Sequence, residues 1–177
     1  EGLGLGHPVL CAKPVIGNEP FAVVLPDDVI WNRGPGALAQ MADIAEATGS
    51  NVVATQTVPR EQTSSYGIVA VDGFTGRQGR ITSLVEKPDP ADAPSTLAVV
   101  GRYVLSPRIF DLLERVTPGS GGVIQLSDAI SALLAVESVM EVTAATHPEG
   151  DYTLRCFTFS GLMFEAMATV TFEEIID

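Results

Sequence analysis

Cysteine is nearly absent. The 177 residues hold two, Cys11 and Cys156, too few for the disulfide framework that staples small secreted domains, and this favours an intracellular, cytoplasmic chain with both thiols buried. Basic residues are scarce too: ten Lys and Arg stand against 22 Asp and Glu, a formal net charge of −12. Such a chain lacks the positive field that displaces counterions from a nucleic-acid backbone. Nucleic acid is therefore excluded as a bulk partner, and an anionic ligand has to be held by local groups. No apolar run approaches the roughly 18 residues of a membrane span, so no membrane partner is expected. No basic and apolar leader opens the sequence, and no targeting signal is expected. A Walker-type Gly-Lys-Ser/Thr element, a Cys/His cluster with zinc spacing and a serine elbow are all missing. The opening Gly2-Leu3-Gly4-Leu5-Gly6-His7 follows a single residue, so it lacks the preceding strand that a dinucleotide-binding fingerprint requires.

What is present suits one globular domain. At 46% hydrophobic residues, a chain of this length buries about 70% of its unfolded surface. Phe21-Ala22-Val23-Val24-Leu25 runs unbroken between Pro20 and Pro26, as in a strand buried on both faces. From Ala37 the spacing turns helical, with Leu38, Met41, Ile44 and Ala45 on one face and Gly49 as the stop. Residues 51–55 then read as the next strand. Strand, helix of about three turns and strand compose the unit of a parallel sheet. The fold class expected is therefore α/β, a mixed but mostly parallel sheet flanked by helices. Residues 66–71 and 80–85 surround a glycine-containing turn and predict an antiparallel pair added to that sheet.

Ser106-Pro107 predicts a helix start, the serine oxygen capping an amide and the proline taking the first helical position. Ile109, Phe110 and Leu113 then face the core. After a loop at 117–122, Ser127-Asp128 opens a second helix carrying Ile130, Leu133 and Leu134. Toward the end, 152–159 alternates as a strand and 162–172 is spaced as a helix. No internal repeat interrupts this order.

Few residues suggest chemistry. Asp27 and Asp28 follow the first strand at its carboxyl end, where open α/β sheets bind ligands. Adjacent extended residues point apart, so at most one of the two is a direct ligand to Mg2+, which takes oxygen ligands and bridges to substrate phosphates. The alternative is that both cap the following turn. Glu86-Lys87-Pro88 sets a carboxylate able to accept sugar hydroxyls beside an ammonium able to meet a phosphate; the alternative is a solvated pair at a strand end. The glycines before His7 would let main chain approach a planar ligand closely. His7 and His147 read as structural.

In order along the chain, Gly4-Leu5-Gly6-His7-Pro8-Val9-Leu10-Cys11-Ala12, Leu25-Pro26-Asp27-Asp28, Tyr66-Gly67-Ile68, Val85-Glu86-Lys87-Pro88, Val100-Gly101-Arg102-Tyr103 and Gly121-Gly122-Val123-Ile124-Gln125-Leu126-Ser127-Asp128 resemble motifs of the bacterial UTP-glucose-1-phosphate uridylyltransferases, also called UDP-glucose pyrophosphorylases. Val123 stands where that family usually has glutamate. The likeness covers residues 1–136 of a single domain, 1–177, and leaves 150–177 as a divergent tail. It implies the nucleotide-diphospho-sugar transferase fold, Rossmann-like, and formation of UDP-glucose and pyrophosphate from UTP and glucose 1-phosphate with Mg2+ as cofactor. By the same resemblance, Gly4 and Gly6 stand near the uracil ring, and Asp28, Tyr66, Gly67 and Gly101 belong to the substrate site. Glu86 would meet glucose hydroxyls, Lys87 the sugar phosphate and Asp27 the metal, with Asp27 and Lys87 carrying catalysis.

Two family elements lack a counterpart here. One is the strand and glycine-rich loop, with a catalytic arginine and a lysine, that precedes the first motif. The other is a late aspartate turn followed by lysine, where this chain reads Phe157-Thr158-Phe159-Ser160-Gly161-Leu162. Nucleotidyl transfer depends on positioning and charge stabilisation, so the expectation is a chain truncated at its amino terminus and weakly active or inactive. Its alternative role is a non-catalytic module for ligand binding or subunit contact. A sheet without its first strand would bare an apolar edge, from which a homo-oligomer is expected.

Overall fold

Six strands and five helices lie in the residues that the computed structural model describes, 4–26, 30, 34–116 and 123–143. In chain order they are α1 (Gly6–Cys11), α2 (Lys13–Ile16), β1 (Phe21–Val24), α3 (Ala37–Thr48), β2 (Asn51–Thr57), β3 (Gly67–Thr75), β4 (Gln78–Glu86), β5 (Leu97–Leu105), α4 (Arg108–Leu113), α5 (Leu126–Leu133) and β6 (Val139–Thr143), with a 3-10 helix at Arg60–Ser65. The regions 117–122, 152–159 and 162–172, with Asp27, Asp28, His147 and Cys156, lie outside the described residues.

The strands are ordered β1-β5-β2-β6-β4-β3, and β3 also pairs with β5. The pairings of β5, β2, β6, β4 and β3 thus return to their start. The mixed α/β class stands, but the sheet is mostly antiparallel rather than mostly parallel. Among the described residues β2 and β6 form the parallel pair, while β1–β5, β2–β5, β3–β4, β3–β5 and β4–β6 are antiparallel. The reason lies in β5. Strands β1 and β2 do run the same way around the α3 crossover, yet β5 enters between them and bonds antiparallel to each.

Alternation along the strands assigns the two faces. On one, Val53, Val69, Leu84, Tyr103 and Leu105 meet Ile109, Phe110 and Leu113 of α4, Leu126, Ala129, Ile130 and Leu133 of α5, and Val9 of α1. On the other, Val52, Ala54 and Val100 meet Met41 and Ile44 of α3. Full burial of each Val, Leu, Ile, Phe or Met side chain among these contributes about 1.5–3 kcal/mol. Helix α3 ends as expected, with Gly49 left-handed at φ 64° and its N–H donating to Ala45 O at 2.8 Å. Leu38, expected on the core face, lies 36% exposed at its margin.

Ser106 does not cap α4, whose N-cap residue is Pro107. Its Oγ donates to Glu137 Oε2 at 2.6 Å, and its N–H donates to Asn51 Oδ1 at 2.6 Å. Asn51 Nδ2 donates to the same Glu137 oxygen at 2.9 Å. A tie between the ends of β2, β5 and β6 therefore takes the place of a local cap. Cys11, expected to be buried, is exposed, because α1 turns Gly6 and Val9 inward instead. Among the described residues β1 pairs with β5 alone, and Val24 is half exposed at that sheet edge. No helix among them is long and apolar enough to cross a membrane.

Candidate functional site

The β3–β4 hairpin sets Gly67 opposite Glu86 and Val69 opposite Leu84. Its pairing with β5 sets Ile68 opposite Ala98 and Val69 opposite Leu97. Alternation then places Glu86, Gly67 and Val99 in one row on the face that holds Leu84 and Val69. A methyl group at Gly67 would stand 3.2 Å from Glu86 Oε2 and 3.8 Å from Val99 Cγ2. Glycine at 67 is what lets the carboxylate lie over the main chain of β3 beside a valine methyl. All three residues are half-buried. Gly101, two residues beyond Val99, accepts the N–H of Leu25 at 2.8 Å, so the row neighbours the end of β1.

Lys87 follows directly. It is the one non-glycine among the described residues with positive φ, at 46°, and its N–H donates to Tyr66 O at 2.9 Å. A left-handed lysine costs on the order of 1–3 kcal/mol and has to be imposed by its surroundings. Here Pro88 is buried while Lys87 stays exposed. Among the described residues, neither the Glu86 carboxylate nor the Lys87 ammonium has a hydrogen-bond or ion-pair partner. Each is open to a ligand.

Gly4 and Gly6 form a second group. Gly4 has φ 80°, and a methyl there would overlap Val123 Cγ1 and Ile124 O. Gly6 donates its N–H to Ile124 O at 2.9 Å, and a methyl on it would lie 2.6 Å from Ile124 Cγ2. On this side the close main-chain approach is made to the segment that opens α5. The first and last of the six sequence motifs are thus neighbours in space.

Three residues were given no role by the sequence reading, although Arg102 stands in one of its motifs. Val99 belongs to an apolar stretch with nothing local to mark it. Arg102 donates through Nη1 to the carbonyls of Leu25 at 2.7 Å and Gly101 at 2.8 Å, clamping the end of β1 to β5. Replacing Arg102 by Met is expected to destabilise the protein by about 1–2 kcal/mol in urea unfolding, the worth of lost charge-assisted bonds; an unchanged midpoint would dismiss the clamp. Glu141 is fully buried on β6, where Oε2 accepts from Thr55 Oγ1 at 2.7 Å and Thr143 Oγ1 at 2.9 Å while Oε1 has no partner. Burial pushes its carboxyl above the usual range, and the two hydroxyl bonds oppose this in part.

A cavity of about 310 Å3 lies at the other end of β5, lined by Lys13, Ser106, Arg108, Asp111 and Glu137 among others. In it Lys13 meets Glu114 at 2.7 Å and Arg108 meets Asp111 at 3.7 Å, while Glu137 accepts from Ser106 and Asn51. Among the described residues no group of three or more His, Cys, Asp or Glu could hold a metal ion. Asp27 lies outside them.

Among the described residues, an open carboxylate, an open ammonium and bare glycine main chain thus lie together at one sheet end. Residues 1–147 match the nucleotidyl transferase family, and the chain belongs to it. Within that family its likeness is to the UTP–glucose-1-phosphate uridylyltransferases. The Pseudomonas aeruginosa enzyme of that description is 48% identical over 131 residues, 73% of this chain and 47% of the relative. One from Bacillus subtilis is 47% identical over 139 residues, 78% of this chain and 47% of the relative. Among solved structures, a UDP-glucose pyrophosphorylase complexed with UDP-glucose superposes with TM-score 0.78 at 37% identity, covering 82% of this chain and 56% of the other. The UTP-bound enzyme from Acinetobacter baumannii gives 0.71 at 39% identity, covering 81% and 50%. The chain spans about half the length of the curated relatives it matches.

Proposed function

We propose that this chain carries the sugar-phosphate half of a UTP–glucose-1-phosphate uridylyltransferase site. The observation that carries the reading is the Glu86–Gly67–Val99 row with the left-handed Lys87 at its end. Glu86 accepts hydroxyls of the glucose ring, and Lys87 meets the phosphate as a point charge. In the reaction, a phosphate oxygen of glucose 1-phosphate attacks the α-phosphorus of UTP, and the bond to pyrophosphate breaks. Lys87 holds the attacking phosphate in line, and the protein's share of catalysis is this positioning and charge stabilisation. Asp27 is the residue proposed to hold Mg2+, whose charge neutralises phosphate oxygens when bound. Relatives described as acting on the same substrates, together with the ordered motifs, support the reading.

Calorimetric titration with UDP-glucose, with and without Mg2+, tests it. The wild type is expected to bind, and Gly67→Ala to bind about tenfold more weakly, because the new methyl displaces the carboxylate from over β3. Its unfolding midpoint should stay put, since alanine suits a strand at least as well as glycine. Equal affinity in the two proteins would remove Glu86 and Gly67 from the site. Binding without turnover in the presence of UTP and glucose 1-phosphate would instead mark a ligand-binding module.

A further inference from the structure

We infer that Arg60 is a positioning residue for Lys87: it clamps the loop that follows the lysine and so keeps the ammonium at the sugar phosphate, an inference that rests on the site proposed above. A lysine at φ 46° returns to an ordinary backbone conformation unless its neighbours forbid it. The bond from its own N–H to Tyr66 O holds the near side of the residue. Beyond it, the N–H of Ala91 donates to Asp89 Oδ1 and that of Asp92 to Asp89 O, both at 2.9 Å. These bonds shape the turn at 89–92 without attaching it. Arg60 attaches it, donating through Nη1 to Pro90 O at 2.7 Å and to Ala93 O at 3.2 Å.

The support of the clamp is itself fixed. Arg60 opens the 3-10 helix Arg60–Ser65, and the Oγ1 of buried Thr63 donates to Arg60 O at 2.7 Å. That helix ends on Tyr66, whose carbonyl accepts the Lys87 N–H. One short element therefore grips the chain on both sides of the left-handed residue. Among the described residues Arg60 has no acidic partner, although the chain holds 22 acids. Its charge goes to two carbonyls, and such charge-assisted bonds are stronger than neutral ones. Without them the backbone at Lys87 relaxes, fewer molecules hold the ammonium in place, and apparent affinity falls with that fraction. Arg60 does this without touching the ligand.

Arg60→Met keeps an apolar stem and removes the donors. Titrated with UDP-glucose, it is expected to bind about tenfold more weakly than the wild type. The backbone carbon-13 shifts of Lys87, which follow φ, should move toward ordinary values in the absence of ligand. Combined with Lys87→Gly, the same change should bring no further loss, since no ammonium is left to position and glycine adopts this φ freely. Arg60→Lys, with a donor on a different stem, should recover part of the affinity, and its Lys87 shifts and UDP-glucose titration give the same reading if the methionine variant does not fold. Unchanged affinity with unmoved Lys87 shifts, or an equal loss with and without Lys87→Gly, would overturn the inference and leave the site standing. If the wild type does not bind UDP-glucose, the site falls and this role of Arg60 with it.

Discussion

Replacing Glu141 by Gln is expected to stabilise the protein at pH 8 and to change little at pH 4. The carboxyl is fully buried, takes two hydroxyl bonds on Oε2 and has none on Oε1. Burial raises its affinity for a proton in the folded state. The native protein therefore holds this proton more tightly than the unfolded chain, whose carboxyl titrates near the ordinary 4.5. Its stabilising contribution is complete below that pH and is lost as pH rises toward and through the raised folded value. Over that window one proton changes the unfolding free energy by about 1.4 kcal/mol per pH unit. Glutamine keeps the shape and the acceptor for Thr55 and Thr143 but has nothing to ionise. Subtracting the urea-unfolding curves of the two proteins from pH 4 to 9 isolates this group from the other carboxylates. A flat difference would mean that Glu141 titrates alike in both states.

Lys87 should show the opposite balance of stability and binding. Lys87→Gly is expected to raise stability by about 1 kcal/mol, because glycine adopts a φ of 46° without the contact that strains lysine. The same change should weaken UDP-glucose by about 2–3 kcal/mol, roughly 30- to 150-fold, through loss of a charge-assisted contact to phosphate. Lys87→Ala removes the ammonium and keeps the strain. It should match the binding loss without the gain in stability. Calorimetry and urea unfolding on the pair separate the two effects, and equal stability of the glycine and alanine variants would deny that the backbone here is strained. Wild-type affinity in both would take Lys87 out of the phosphate site.

Local order was legible in the chain. Proline-bounded apolar residues foretold β1, the period of Met41 and Ile44 with Gly49 foretold α3, and glycine turns foretold the β3–β4 hairpin. Helices α1 and α2, the 3-10 helix at Arg60–Ser65 and strands β5 and β6 were not foreseen. Gly6–Cys11 contains glycine and proline, which weaken a helical pattern, and β6 carries an acid at a core position. Ser106 looked like a helix cap because its local sequence is that of one. Its real partners are Asn51, which opens β2, and Glu137 in the bend before β6, both far away in sequence.

The candidate site divides along the same line. Glu86 and Lys87 could be named from the sequence because a carboxylate beside an ammonium before a proline carries its chemistry in adjacent residues, and the order of six motifs pointed to the family. Val99, Arg102 and Glu141 meet residues outside their own strands: Gly67 and Glu86 for the first, Leu25 for the second, Thr55 for the third. Strand composition and spacing determine which segments become strands and which side chains of a strand share a face. Only the tertiary structure decided that β5 enters between β1 and β2, turning an expected parallel sheet mostly antiparallel. Register across strands depends on the packing of both faces together, which no single segment encodes.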